Sequence, residues 1–272
     1  MLYRSMFLLT QDELSDILKK LDPKSLAAFS ATSRTAAAAA TKELNRIRGF
    51  VDPLISKGVT IKQLLADDCV HIEGKDFSDK DMVALGTILG LRQEPFTHLF
   101  LNENHISSEG MVGFFGAIGR RALQNLTDLN LDNNQIGVSG ESALCSESMA
   151  SLKILSLEGN QIGADMTAFV DFVGKRASLE ELWLGNNEIN DASMIKFAAT
   201  VESNAAFENL KSLDLGSNPF DNEGVDALTK ALNNEAIGSL ETLFIRNRKF
   251  DDFAKERLET ACTVRGITCI AE

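Results

Sequence analysis

The stretch LEELWLGNNEI, Leu179 to Ile189, has the frame L-x-x-L-x-L-x-x-N-x-I, and that frame returns along most of the chain. FTHLFLNENHI starts at Phe96, LTDLNLDNNQI at Leu126, LKILSLEGNQI at Leu152 and LKSLDLGSNPF at Leu210. LETLFIRNRKF, from Leu240, has Arg248 at the Asn position. The starts at 96, 126, 152, 179, 210 and 240 are separated by 30, 26, 27, 31 and 30 residues. A degenerate copy, CVHIEGKDF, keeps Val70, Ile72 and Phe77 in frame and has Lys75 where the others have Asn. Self-similarity at this period marks stacked units, none of which buries its apolar face alone.

The local patterns say what each unit contains. Leu182 and Leu184 alternate with Trp183, the period of a short strand. Between frames, Met166, Phe169, Val170 and Val173 fall at i, i+3, i+4 and i+7, and Val225, Leu228 and Leu232 repeat the helical spacing. Strand alternating with helix predicts parallel strands joined by right-handed crossovers. Residues 137–150 are weakly apolar and predict a loop or distorted helix. Thr263 to Ile270 predicts a closing strand after a helix ending near Cys262.

Over roughly Asp68 to Glu272 these frames resemble the leucine-rich repeat family, in its longer, ribonuclease-inhibitor-like type. The resemblance implies an α/β right-handed solenoid over residues 67–272, with a curved parallel sheet on the concave side and helices on the convex side. About seven coils are expected, the first degenerate and the last capping. The resemblance also implies that Asn104, Asn134, Asn160, Asn187 and Asn218 hydrogen-bond turn backbone between coils, a structural role. Loss of that Asn at Arg248 is then expected of a last coil with no successor to bond.

In such a fold the residues between the leucines face the hollow and need not be apolar. The position between the second and third leucines runs Phe100, Asn130, Ser156, Trp183, Asp214, Phe244. Each exposed ring could bury about 150–250 Å², worth up to about 4–6 kcal/mol by area before ordering costs. Around them lie Asp128, Asp132, Glu158, Glu180 and Glu181, partly offset by Lys153, Lys211 and Arg246. The expectation is a partner-binding face of Phe100, Asp128, Asn130, Asp132, Glu158, Glu181, Trp183, Asp214, Phe244 and Arg246. The competing reading is that the rings pack on one another or on a terminal segment.

The register also places Cys69, His71 and His98 together on the first strands, with Glu73 near. These are zinc-ligand types, although polar residues on an open sheet face need no ligand. No P-loop, nucleophile elbow or H-E-x-x-H is present. Carboxylates are plentiful, but a solenoid is expected to offer no closed pocket to raise their pKa. No enzymatic activity and no cofactor are expected.

Residues 1–48 read differently. Thr10 and Glu13 have capping-box spacing, Leu14, Ile17, Leu18 and Leu21 mark one helix face, and Asp22-Pro23 breaks it. The segment LLTQDELSDILKKLDPKSLAAFSATSR, Leu8 to Arg34, resembles an F-box in Leu9, Glu13-Leu14, Ile17-Leu18, Leu21-Asp22-Pro23, Leu26 and Ser33-Arg34. It departs from that pattern at Thr10, where Pro is usual, and at Thr35 to Ala40, which replaces an aromatic ending. The resemblance implies docking on the Skp adaptor of a cullin-based ubiquitin ligase through Leu9, Leu14, Ile17, Leu18 and Pro23. The same helices could equally cap the solenoid's first coil. Residues 49–66 read as a helical connector, with a short helix over Val59 to Leu65, and Ser78 with Asp81 could cap the next one.

A net charge of −12 over 272 residues argues against nucleic acid and anionic membrane surfaces. The scattered cysteines, Cys69, Cys145, Cys262 and Cys269, suggest free thiols in a reducing compartment, hence cytoplasm or nucleus. Three functions remain open: an F-box-type substrate receptor, a plain interaction scaffold, and a regulator like the Ran GTPase-activating proteins, which share this repeat type. The last is resembled only in the repeats.

Overall fold

The computed structural model describes residues 46–47, 49–92, 95–119, 121–144, 149–163, 166–174, 176–203, 207–246 and 249–271. The F-box-like residues Leu9, Leu14, Ile17, Leu18 and Pro23 lie outside them, as do Cys145 and Arg248.

A short helix, α1 (Ile61–Leu65), leads into alternating strands and helices: β1 (Cys69–His71), α2 (Asp79–Leu89), β2 (His98–Phe100), α3 (Ser108–Ile118), β3 (Asp128–Asn130), α4 (Val138–Leu144), β4 (Ile154–Ser156), α5 (Thr167–Gly174), β5 (Glu181–Trp183), α6 (Asp191–Ser203), β6 (Ser212–Asp214), α7 (Asn222–Asn233), β7 (Thr242–Phe244), α8 (Asp252–Arg265) and β8 (Thr268–Ile270). The strands form one parallel sheet in chain order. The predicted closing strand is β8, although α8 runs to Arg265, past Cys262. Residues 137–150, predicted as a loop or distorted helix, hold the seven-residue α4.

Each strand is three residues long because the frame alternates. The middle residue, Val70, Leu99, Leu129, Leu155, Leu182, Leu213 or Leu243, is buried, as is the next frame position from Ile72 to Ile245. Phe169, Val170 and Val173 form the buried inner face of α5, with Met166 buried just ahead of it, and Val225, Leu228 and Leu232 form that of α7. The core is therefore continuous from coil to coil. Its amino-terminal end is closed by the connector: Val51, Leu54, Val59 and Leu64 join the same core. Arg92, itself buried, donates to the Leu64 and Asp67 carbonyls at 3.0 and 2.8 Å. Lys57 pairs with Asp81 at 2.9 Å, and Ser78 and Asp81 form the expected capping box of α2.

After each of β1 to β6 the backbone turns through a left-handed residue just before the ladder position: Gly74, Glu103, Asn133, Gly159, Asn186 and Ser217 all have φ between 50° and 68°. Gly and Asn tolerate that region; Glu103 and Ser217 adopt it against steric preference. The turn points the next side chain inward. Asn187 accepts from the Ile162 N–H at 3.0 Å and donates to the Leu157 and Gly185 carbonyls at 2.9 and 3.0 Å. Asn104, Asn134, Asn160 and Asn218 repeat the pattern, and all five are buried. The bonds run to the preceding coil, which corrects the argument from Arg248: a final coil still has a predecessor to bond. The position free of that need is the first, where Lys75 stands and lends only its N–H to Asn104, at 3.1 Å.

Candidate functional site: the outer face of the sheet

The in-register pairing sorts the side chains that face away from the helices into rows. One row runs Cys69, His98, Asp128, Ile154, Glu181, Ser212, Thr242, Thr268. The next runs His71, Phe100, Asn130, Ser156, Trp183, Asp214, Phe244, Ile270. Beyond the strand ends a third row holds Asp132, Glu158, Gly185, Gly216 and Arg246. Neighbours within a row sit about 4.8 Å apart, so like charges are forced together.

The three aromatics fall into two groups. Phe100 packs against His71 with ring centroids 4.9 Å apart and lies 6.1 Å from His98. Trp183 and Phe244, two strands apart, lean together over Asp214 to a centroid distance of 5.3 Å. The alternative that the rings pack on one another thus holds for this pair, yet both rings remain partly exposed. The indole N–H donates to Glu181 at 3.2 Å, which fixes the ring's orientation.

Room for Asp214 comes from Gly185 and Gly216. A Cβ at either would lie 3.2 Å from an Asp214 carboxylate oxygen. The Gly216 N–H donates to Asp214 Oδ1 at 2.7 Å. Asp132 accepts from the Ser156 hydroxyl at 2.6 Å and the Glu158 N–H at 2.7 Å. These two glycines and Ser156 were missed as site elements. Their signal lies in the aligned frames, where LWLG and LDLG have glycine at the position that holds Asp132 and Glu158.

The electrostatics overturn the expectation that an open solenoid cannot raise carboxylate pKa values. Asp128, Asp132, Glu158 and Asp214 are all shifted upward, chiefly by burial against the sheet. Glu158 is raised further by Asp132 and Asp214, and Asp214 by Asp132, while Arg246 works in the opposite direction on Asp214. Basic residues nearby do not neutralise the patch. Lys211 and Lys153 both pair with Glu180, at 2.7 and 2.9 Å, and hold its carboxyl down to about 2.

Linkage gives the sign. In the folded protein the four raised carboxylates keep their protons to higher pH than in the unfolded chain. Stability therefore falls as pH rises through their window and recovers on mild acidification. Glu180 acts oppositely, and its contribution is lost as pH falls from the ordinary carboxylate range toward 2. Asp81 and Asp251, also held down, act as Glu180 does, so thermal stability should peak on the acid side of neutrality and fall again at lower pH. Asp214→Asn, which keeps the oxygen that receives the Gly216 N–H, should raise Tm at pH 7 and flatten the acid-side gain. A Tm at pH 7 equal to or below that of the parent would contradict the assignment.

The amino-terminal polar group is less suggestive of chemistry. Cys69 and His98 face each other across β1 and β2 as expected, and Cys69 Sγ lies 3.1 Å from His71 Nε2. Burial and the charges of Asp128 and Asp67 push the Cys69 thiol pKa up, the reverse of an activated nucleophile. Among the described residues no cluster of three or more His, Cys, Asp or Glu has metal-binding geometry, so Cys69, His71 and His98 are not supported as a metal site.

A family model described as a Leucine Rich repeat matches residues 122–145 and 208–228. No curated protein matches the chain. Among solved structures, an internalin from Listeria monocytogenes is similar at 17% identity and a TM-score of 0.37, over 83% of this chain and 87% of that one. The actin-binding site 2 of leiomodin-1 is similar at 17% identity and a TM-score of 0.34, over 39% of this chain; the match spans only 60% of the leiomodin chain. Among the described residues, eight parallel strands in chain order, helices behind them and the buried Asn ladder define a leucine-rich-repeat solenoid. Among the described residues no helix is long and apolar enough to cross a membrane.

Proposed function

We propose that this protein is a non-catalytic recognition protein that holds a protein partner on the concave face of its solenoid, at the Trp183–Phe244 pair. One observation carries the reading. Two large rings stay partly exposed on the sheet's outer face, in contact at 5.3 Å, while the leucines and isoleucines at the inward frame positions are buried. A pinned indole beside a second ring is the kind of anchor that dominates protein interfaces. The expected contact surface comprises Asp128, Asn130, Asp132, Glu158, Glu181, Trp183, Asp214, Phe244 and Arg246, with Phe100 as a separate contact nearer the amino end. Trp183→Ala should weaken capture of a partner by about thirtyfold while costing little stability. A partner isolated with the intact chain and measured by calorimetry tests it; unchanged affinity removes the anchor role.

The F-box-like segment supports a finer version. Leu9, Leu14, Ile17, Leu18 and Pro23 would dock a Skp-type adaptor and so bring the captured protein to a cullin-based ubiquitin ligase, in the cytoplasm or nucleus. Full-length protein co-expressed with the adaptor should co-purify, and Leu14→Asp with Ile17→Asp should abolish this. If the parent chain does not co-purify, the segment is left as a cap.

A further inference from the structure

We propose that the partner presents a basic side chain, arginine above all, to this face: its stem lies on the Trp183–Phe244 rings and its cationic head sits among Asp132, Glu158 and Asp214. This rests on the concave face being the binding surface, and it names the chemistry bound there.

The argument is one of complementarity in shape and charge. Over β3 to β7 the three rows present Asp128, Asp132, Glu158, Glu181 and Asp214 against the single cation Arg246. Lys153 and Lys211, one position earlier, are occupied by Glu180. In the third row Gly185 and Gly216 leave a gap between Glu158 and Arg246, and Asp214 leans into it. The gap borders the ring pair. A guanidinium is planar, stacks on an indole and forms paired bonds to carboxylates, so one side chain can satisfy both features. Hydrogen bonds from the Ser156 hydroxyl and the Glu158 and Gly216 N–H groups offset only part of the cost of holding these charges. Burial penalises the ionised form of Asp132, Glu158 and Asp214, and their mutual repulsion adds to this for Glu158 and Asp214. A cation delivered by a partner removes that penalty, whereas an acidic or purely apolar segment would increase it or leave it in place.

The chain carries a single Trp, Trp183, so its emission reports on this site directly. Full-length protein titrated with octa-arginine should show a saturable change in that emission, weakening with added salt; octa-glutamate should give none. The double variant Glu158→Gln/Asp214→Asn should lower the octa-arginine affinity at least about tenfold. Glu223→Gln/Glu256→Gln removes the same charge from the outer helices α7 and α8 and should leave the affinity unchanged. Melting curves on both variants confirm folding. The proposal is overturned by an absent emission change, or by equal losses in the two double variants. A protein partner that Trp183→Ala releases but Glu158→Gln/Asp214→Asn does not would overturn it and leave the concave-face reading standing. A partner indifferent to Trp183→Ala removes both.

Discussion

Asn187→Ala should destabilise the solenoid by about 3–4 kcal/mol, measured as the shift in urea unfolding. The side chain accepts from the Ile162 N–H and donates to the Leu157, Leu184 and Gly185 carbonyls. Truncation strands groups in a buried site, and each unpaired buried group costs about 1–3 kcal/mol. Little relief is available, since water has no route to a residue only 7% exposed. Lys75→Ala, at the same frame position in the first coil, should cost far less, because Lys75 contributes only its backbone N–H to the ladder. Equal losses at the two positions would refute the assignment of the amide's role. A loss below about 1 kcal/mol at Asn187 would do so as well.

Gly163→Ala should cost about 3 kcal/mol. The residue has φ 134°, outside the range that L side chains adopt readily, and a Cβ there would lie 2.5 Å from the Glu188 carbonyl carbon and the Ile189 nitrogen. Both obstacles are backbone of the next coil, so no rotamer change relieves the clash. The coils would have to part where the Glu188 N–H meets the Ile162 carbonyl at 2.9 Å. Gly119→Ala provides the comparison. Its φ is 75°, but nothing lies within 4 Å of the added carbon, so only the conformational penalty of about 1–2 kcal/mol applies. The difference between the two variants measures the steric part, and no difference would mean that the coils do not approach as closely as described.

The architecture was legible because it depends on side-chain type at fixed spacing. Leucines three and two apart, returning at 26 to 31 residues, place each strand and say which residues face inward. The ladder Asn positions follow from the same frame. Their direction does not, because it depends on which neighbouring N–H the turn leaves unpaired, and that is set by the left-handed residue ahead of the amide. Residues 137–150 left a loop and a distorted helix both open, because their few apolar residues are too weak a pattern to distinguish a loop from the short helix Val138–Leu144.

The candidate site was legible as rows and not as contacts. Phe100, Trp183 and Phe244 occupy one frame position, yet their division into a histidine-associated ring and a tilted pair in contact depends on what stands between them. Asp214 is short, and Gly185 and Gly216 draw it toward the third row, so the rings on either side can close over it. The raised carboxylates are not legible in the sequence because the face that holds them is open and forms no closed pocket. In-register stacking crowds the acids of neighbouring coils on the sheet floor, and that alone removes enough water.

The direction of the Asn bonds also bears on how the molecule is made. A ribosome delivers the amino-terminal coil first, and each of the next five coils emerges with the Asn amide that fastens it to the one already in place. Each new amide pairs the N–H and carbonyl left open on the coil before it, those of Ile162 and Leu157 in the case of Asn187, so the stack can lengthen in step with synthesis.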